Sequence, residues 1–283
     1  MSLNSVNTNI NAQIALQSLN MTASQLATTQ KTISTGFRVA DATDDGAAFA
    51  VAQRVRSDVG ALTSANQQLG NVKGLISTTV TGLTSVSKTL NTAREVLVKL
   101  ADSNTLGDQR TQYAAQYQSL IANVKTFLQD AGYNNKSLVG DITGSNGTFG
   151  SVAVIRNEVG ATYGIATFGG SAFFASVNFT STQLNAADSV VALITSSGTF
   201  LNALSTLGTQ LNTYGAASNY VDNQISYNND KMDSLNGGLG SLIDADLAKE
   251  SAKLQALQIR QQLGTQALSI ANQAPQSLLS LFK

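Results

Sequence analysis

AFAVAQRVRSDVGALTSANQQLGNVKGLISTTVTGLTSVSKTLNTAREVL, residues 48–97, decides the fold. Stepping by three and four from Ala48 gives Ala52, Val55, Val59, Leu62, Asn66, Leu69, Lys73, Ile76, Val80, Leu83, Ser87, Leu90, Arg94 and Leu97, and only four of these fifteen positions are polar. Such spacing predicts one long amphipathic helix in coiled-coil-like packing, roughly 75 Å long. Thr43 or Asp44 is placed to cap its start, with Asp45 favourable in the first turn. Gly60, Gly70, Gly74 and Gly82 weaken it locally, and Asp102-Ser103-Asn104 ends it.

Downstream, residues 107–130 predict a second helix with Tyr113, Tyr117, Leu120, Val124 and Phe127 on one face, stopped by Gly132 and Asn134-Asn135. Residues 138–181 turn glycine-rich and β-prone, which predicts short strands at 152–155, 165–168 and 173–179 joined as hairpins. From Gln183 the helical spacing returns through Val190, Leu193, Phe200, Leu204, Leu207, Leu211, Tyr214, Val221, Ile225, Asn228 and Leu235, until Gly237, Gly238 and Gly240 interrupt it. A last helix from Asp244 carries Ala252, Ala256, Ile259, Leu263, Ala267, Ile270 and Ala274 on a stripe and breaks near Pro275.

The two ends of the chain answer each other. Residues 3–33 and 243–282 are both Gln/Asn-rich with a thin apolar stripe. In the first, Ala12, Leu16, Leu19, Ala23, Leu26, Gln30 and Ile33 offer few large side chains. Burying a Leu or Ile contributes about 1.5–3 kcal/mol, whereas ordering costs about 1–2 kcal/mol for every residue. Neither helix holds alone, so each needs the other and neighbouring copies. The expected fold is mainly α: an elongated antiparallel hairpin of long helices with a small β-hairpin region and both termini at one end. The expected domains are 1–42 with 239–283 as terminal helices, 43–137 with 182–238 as long-helix bundle, and 138–181 as the β-hairpin region, with no large outer domain.

Composition removes most chemistry. The chain has no His, no Cys, no Trp and one proline, Pro275. That excludes a Ser-His-Asp triad, a cysteine nucleophile, a Cys/His zinc site and a histidine base. Residues 140–170 lack the Gly-Lys-Ser/Thr of a phosphate loop. Asp41, Asp44 and Asp45 are read as helix-cap residues rather than a metal site, Arg54 and Arg56 as salt-link residues, and Tyr113 and Tyr117 as core. No catalytic, cofactor or metal residue is nominated. Lys+Arg and Asp+Glu both number 17, which gives no electrostatic reason to expect nucleic acid. No run of about 18 apolar residues is read as a membrane span, and residues 1–11 lack the pattern of a Sec-type signal.

At both ends the residues resemble bacterial flagellins. The first motif is Ile33-Ser34-Thr35-Gly36-Phe37-Arg38-Val39 with Ala42-Thr43-Asp44-Asp45-Gly46-Ala47-Ala48. The second is Gln258-Ile259-Arg260-Gln261-Gln262-Leu263-Gly264-Thr265-Gln266-Ala267-Leu268, then Ala271-Asn272-Gln273-Ala274-Pro275-Gln276 and Leu279-Ser280-Leu281-Phe282-Lys283. Thr35, Phe37, the position of Gly46 and the Phe282-Lys283 ending depart from the common family pattern. The resemblance implies a non-enzymatic structural subunit, exported without a cleaved signal and polymerised into the flagellar filament for motility. Implied partners are further copies of itself, a cytoplasmic export chaperone on the C-terminal helix, the export apparatus, and the filament cap and junction proteins. Subunit assembly is assigned to Leu16, Leu19, Leu26, Ile33, Ile259, Leu263 and Ile270. Arg94 and Glu95 fall in a stretch resembling the surface read by a vertebrate innate receptor, and a solvated charge pair explains them equally well. The alternatives are a hook–filament junction protein, or a surface binding module for polysaccharide built on Arg156, Asn157 and Tyr163. The Ser/Thr-rich residues 138–200 are the expected outward face, where some family members carry O-linked glycans.

Overall fold

The computed structural model describes the backbone of residues 8–280 and the side chains of residues 8–273. The chain is mainly helical: α1 (Ile10–Thr35), α2 (Gly46–Ala101), α3 (Gly107–Asp130), α4 (Gly170–Val177), α5 (Ser181–Leu184), α6 (Ala187–Ile194), α7 (Thr199–Ile243) and α8 (Leu247–Ser280). Five short strands lie between α3 and α4: β1 (Gly132–Tyr133), β2 (Lys136–Ser137), β3 (Thr148–Phe149), β4 (Val152–Ile155) and β5 (Thr162–Ile165). The chain divides into two compact units, one of residues 1–57 and 233–283, the other of residues 58–232.

The 58–232 unit is organised on heptads. In α2 the positions Leu62, Ala65, Leu69, Val72, Ile76, Thr79, Leu83, Val86, Leu90, Ala93, Leu97 and Leu100 are buried and step by three and four, the repeat that keeps one seam facing a partner; Leu75 and Val96, beside that seam, are buried too. Half of that seam, Leu62 through Leu97 by sevens, matches the sequence stripe. The other half lies one residue earlier than expected, so Asn66, Lys73, Ser87 and Arg94 fall outside the core. Thr79 fits because its hydroxyl donates to the Leu75 carbonyl at 2.8 Å. The same half-shift recurs in α7, where Phe200, Ala203, Leu207, Tyr214, Ala217, Val221 and Asn228 are buried. In α3 half of the stripe moves the other way, one residue later: Tyr117, Ile121, Val124 and Leu128 are buried and Phe127 is exposed. All three helices feed one continuous apolar cluster.

One seam position carries an amide. Asn228 of α7 donates to Asn66 Oδ1 of α2 at 2.8 Å and to the Arg156 carbonyl at 3.0 Å, while its own Oδ1 accepts from Gln224 at 2.9 Å. A satisfied asparagine at a seam position fixes register, since a slipped pairing would leave it unpaired.

The glycines of α2 differ in what surrounds them. A Cβ on Gly82 would lie 2.9 Å from the Ala131 Cβ, and one on Gly74 would lie 2.9 Å from the Tyr133 ring, whereas Gly70 faces open space. At Gly82 the end of α3 packs directly on the α2 backbone. Gly70→Ala is expected to stabilise the soluble chain by up to about 1 kcal/mol through helix propensity alone. Gly82→Ala should show no gain, because contact strain offsets that propensity. Urea denaturation of the two variants separates them.

The middle region corrects several expectations. β1 and β2 form a hairpin through Asn134 (φ 46) and Asn135 (φ 58), the double left-handed turn that favours asparagine. Strand β4 is where the sequence placed it, but its partner β5 covers Thr162–Ile165 rather than 165–168. Residues 173–179, expected as strand, lie mostly in α4, where Phe173 and Val177 bury one turn apart. The helical stretch from Gln183 is not continuous. Gly198 sits between α6 and α7, where a Cβ would meet the Leu193 carbonyl at 2.2 Å. Conversely, Gly237, Gly238 and Gly240 do not interrupt α7, which runs on to Ile243. One 18-residue window within 187–243 reaches a mean hydropathy of 1.4, long and apolar enough by composition for a membrane span, contrary to the sequence reading. Val190, Phe200, Ala203 and Leu207 of that segment lie in the core, where their apolar area is used.

Candidate assembly surface

The unit of residues 1–57 and 233–283 is built on the pairing of α1 with α8. The pairing is antiparallel: Asn9 Nδ2 donates to the Ala271 carbonyl at 2.7 Å, and Leu19 packs where a Cβ on Gly264 would lie 3.3 Å from its Cδ1. On α1 the half-buried or buried positions Ala12, Ala15, Leu19, Thr22, Leu26, Thr29 and Ile33 again step by three and four. On α8 the matching positions are Leu254, Leu257, Gln261, Gly264, Leu268 and Ala271. Small residues let the backbones approach closely but bury little apolar area. Thr29 is fully buried with no hydrogen-bond partner for its hydroxyl, which costs about 1–3 kcal/mol.

This pairing uses only one face of each helix. The α8 stripe from the sequence, Ala252, Ala256, Ile259, Leu263, Ala267 and Ile270, lies entirely on the exposed side, with Ile259 at 58%, Leu263 at 59% and Ile270 at 67% accessible. Of the α1 residues assigned to assembly, Leu19, Leu26 and Ile33 are half-buried, and Leu16 is exposed. Ile10, Ile14 and Met21 are also exposed on α1. The sequence reading missed them, although apolar residues at positions i, i+4 and i+11 signal a second helical face. Ala274, with the rest of residues 274–280, has no described side chain, and Leu281-Phe282-Lys283 and residues 1–7 lie outside the described residues.

Two linkers clasp each other beside the paired helices. Gly36, at φ 73, ends α1 in the left-handed conformation, its N–H on the Thr32 carbonyl at 2.9 Å. Phe37 bridges Asp244, the Arg38 N–H donates to the Ile243 carbonyl at 2.7 Å, and the Ala245 N–H donates to the Gly36 carbonyl at 3.0 Å. Val39, Ala48, Ala52 and Ile243 bury a small apolar cluster there. Arg56 lies over the Phe37 ring, 5.6 Å from its centre, rather than in an ion pair among the described residues. The C-terminal helix starts at Leu247 instead of Asp244, with Asp246 Oδ1 accepting from the Lys249 N–H at 3.0 Å.

The aspartates at the head of α2 hold the same joint. Lys31 Nζ reaches Asp41 at 2.6 Å and Asp44 at 2.9 Å. Asp44 also accepts from the Ala40 N–H, and Asp41 from that of Thr43. The residue that caps α2 is Asp45, not Thr43 or Asp44: its Oδ1 accepts from the N–H groups of Ala47 and Ala48, both at 3.0 Å. Hydrogen bonds from Lys31 hold both the Asp41 and Asp44 carboxyls below the usual carboxylate range and hold the ammonium above its own. The folded chain thus binds protons on these carboxyls more weakly than the unfolded chain. Their contribution is complete above about pH 4 and fades as the pH falls toward the depressed values. Lowering the pH from 6 to 3 should therefore reduce the protection factors of the Ala40, Asp41 and Thr43 amides, each taken against the intrinsic exchange rate at that pH, and Asp44→Asn should flatten that response.

The remaining nominated residues lie in the other unit. Arg94 and Glu95 are exposed on α2, while the neighbouring Val96 and Leu97 are buried. The residues weighed as a polysaccharide groove are engaged internally. Tyr163 stacks on Tyr220 with centroids 4.0 Å apart, Arg156 bonds the Tyr220 hydroxyl at 3.4 Å, and Asn157 accepts from the Ala161 N–H at 2.9 Å. Lys231 pairs with Glu158 at 2.5 Å, which holds that carboxyl low. Among the described residues no group of His, Cys, Asp and Glu is arranged to hold a metal.

Comparison with known proteins finds matches at both ends of the chain. Residues 6–143 match the family model of the bacterial flagellin N-terminal helical region, and residues 194–282 match that of the C-terminal helical region. Flagellin FljM of Caulobacter vibrioides is 33% identical over 287 residues, covering all of both chains. Flagellin FljK of the same organism is 34% identical over 283 residues with the same coverage. A flagellin of Brucella melitensis is 34% identical over 295 residues, 99% of each chain. Among solved structures, a flagellar hook-associated protein from Vibrio parahaemolyticus superposes with a TM-score of 0.54 at 16% identity, covering 71% of this chain and all of that one. At that identity the likeness is one of fold alone.

Proposed function

The chain belongs to the bacterial flagellin family, and from that premise we propose how its parts share the work of building a filament. As a flagellin it is a structural, non-enzymatic subunit that polymerises with itself into the extracellular flagellar filament, the propeller of motility. In our reading α1 and α8 become the inner tube on assembly. Leu19, Leu26 and Ile33 zip α1 to α8 within one subunit. Leu16, Ile259, Leu263 and Ile270, with Ile10, Ile14 and Met21, meet neighbouring subunits.

One observation supports this reading above the others: the greasiest stripe of α8 is the one the single chain leaves uncovered. Contiguous exposed apolar area marks an interaction site, and a heterologous contact that does not close on itself yields a helical polymer. The same exposed stripe is the natural seat of an export chaperone before assembly. The export apparatus and the cap and junction proteins complete the proposed partners, with neither nucleic acid nor membrane insertion in the scheme. Seeding purified protein with short filament fragments tests it. Growth into micrometre fibres is expected, whereas a junction protein would add one layer and stop.

A further inference from the structure

α8 contains a proline that does not end it. Its backbone is helical through Pro275 to Ser280, although the sequence predicts a break there. A proline inside a helix lacks the N–H that would reach the carbonyl four residues earlier, here that of Ala271. An unpaired, partly buried carbonyl carries a desolvation cost. In this chain the carbonyl is not left unpaired: Asn9 Nδ2 donates to Ala271 O at 2.7 Å, from the other end of the sequence.

Asn9 is occupied at both ends of its amide. It is the N-cap of α1, with extended backbone (φ −93, ψ 91), and its Oδ1 accepts from the Ala12 N–H at 3.0 Å. The two partners fix the orientation of the amide, because an N–H can face only the oxygen and a carbonyl only the nitrogen. We propose that Asn9 is a positioning residue for terminal-helix pairing: it supplies to Ala271 the hydrogen bond that Pro275 cannot, and so ties the start of α1 to the proline turn of α8 in one register.

Two features of the residue type support this. Asp and Ser cap helices about as well as Asn, so capping alone does not require an amide. The amide accepts from its own helix through one atom and donates across to the partner through another, which a carboxylate cannot do and a serine hydroxyl does only from a single, shorter-reaching oxygen. The contact also sits at the far end of a seam whose apolar content is low, where a single directed bond has the most leverage on register. It depends on the pairing of α1 with α8 and not on what lies outside them.

A double-mutant cycle separates the proposal from simple capping. Asn9→Asp keeps the cap oxygen and removes the donor. Pro275→Ala restores the missing N–H and makes the donor redundant. Wild type, both single variants and the double variant are compared by amide exchange at residues 12–16 and 268–272, in the soluble chain and in filaments. In the wild-type background Asn9→Asp should lower protection roughly fivefold to tenfold, the net effect of one hydrogen bond. In the Pro275→Ala background the same change should cost less than about twofold. An equal loss in both backgrounds overturns the proposal. Because the soluble chain is read as well as the filament, failure to polymerise would count against the proposed function and leave this cycle to be decided by the soluble chain.

Discussion

Replacing Arg110 by methionine is expected to lower the stability of the 58–232 unit by about 3–5 kcal/mol, the largest single-residue effect in the chain. The side chain is 8% accessible and makes no ion pair among the described residues. Its guanidinium instead donates to three carbonyls: Thr105 at 2.8 Å, Leu184 at 2.9 Å and Asp102 at 3.1 Å. Two of these belong to the turn that closes α2, where carbonyls left without helical partners gather negative potential, and the third is the last residue of α5. Methionine fills similar space but leaves the Thr105 and Leu184 oxygens without the bond they had, and the Asp102 oxygen with only the Thr105 N–H at 3.2 Å. Arg110→Lys keeps the charge without the planar fork and should fall between the two. Urea denaturation of the full-length soluble chain measures the series, and a loss below about 1 kcal/mol for Arg110→Met would mean that the loop does not depend on it.

The second large effect concerns assembly and not folding. Ile259→Asp combined with Leu263→Asp should raise the concentration needed for filament growth at least about a hundredfold, while the thermal unfolding of the soluble chain stays unchanged. Both side chains are more than half accessible in the single chain, so the substitution removes nothing from its core. In the filament each would lose about 1.5–3 kcal/mol of apolar burial and bring a carboxylate into an apolar contact. Leu257→Asp is the control. That residue is 4% accessible on the face toward α1, and its substitution should loosen the soluble pairing as well. Fibres of the double variant at normal concentration would place the subunit contact on another face.

The helices themselves were legible from the sequence, and the reason is periodicity. Stepping by three and four found Leu62, Leu69, Ile76, Leu83, Leu90 and Leu97 because a residue recurring every seventh position is the same whichever step comes first. The alternate half of the α2 seam was not legible from spacing. Ala65 and Asn66, or Val86 and Ser87, are equally good continuations by that measure, and the apolar member of each pair is the one buried. The break at 195–198 was missed because Val190, Leu193 and Phe200 keep helical spacing across it. The carbonyl that Gly198 must clear comes from the preceding turn, and the only mark it leaves in the sequence is the polar run Thr195-Ser196-Ser197 before the glycine.

The assembly surface was legible for a different reason. On α8 the sequence singles out Ile259, Leu263 and Ile270, whereas the face toward α1 is made by Leu254, Leu257, Gln261, Gly264 and Leu268. A stripe read from sequence is ranked by apolar content, and in a polymer the richest stripe need not be the one that one chain buries. Leu16 was found and Met21 missed because only one stripe was drawn on each helix. Asn9 could not have been found at all, since its role depends on a carbonyl 262 positions away.

Side-chain footprinting with hydroxyl radicals, on the soluble chain and on its filaments, tests the central claim most directly. If the uncovered faces of α1 and α8 are what the polymer buries, labelling of Met21, Ile259, Leu263 and Ile270 should drop at least about tenfold on polymerisation. Equal labelling of these four side chains in both states would contradict the account.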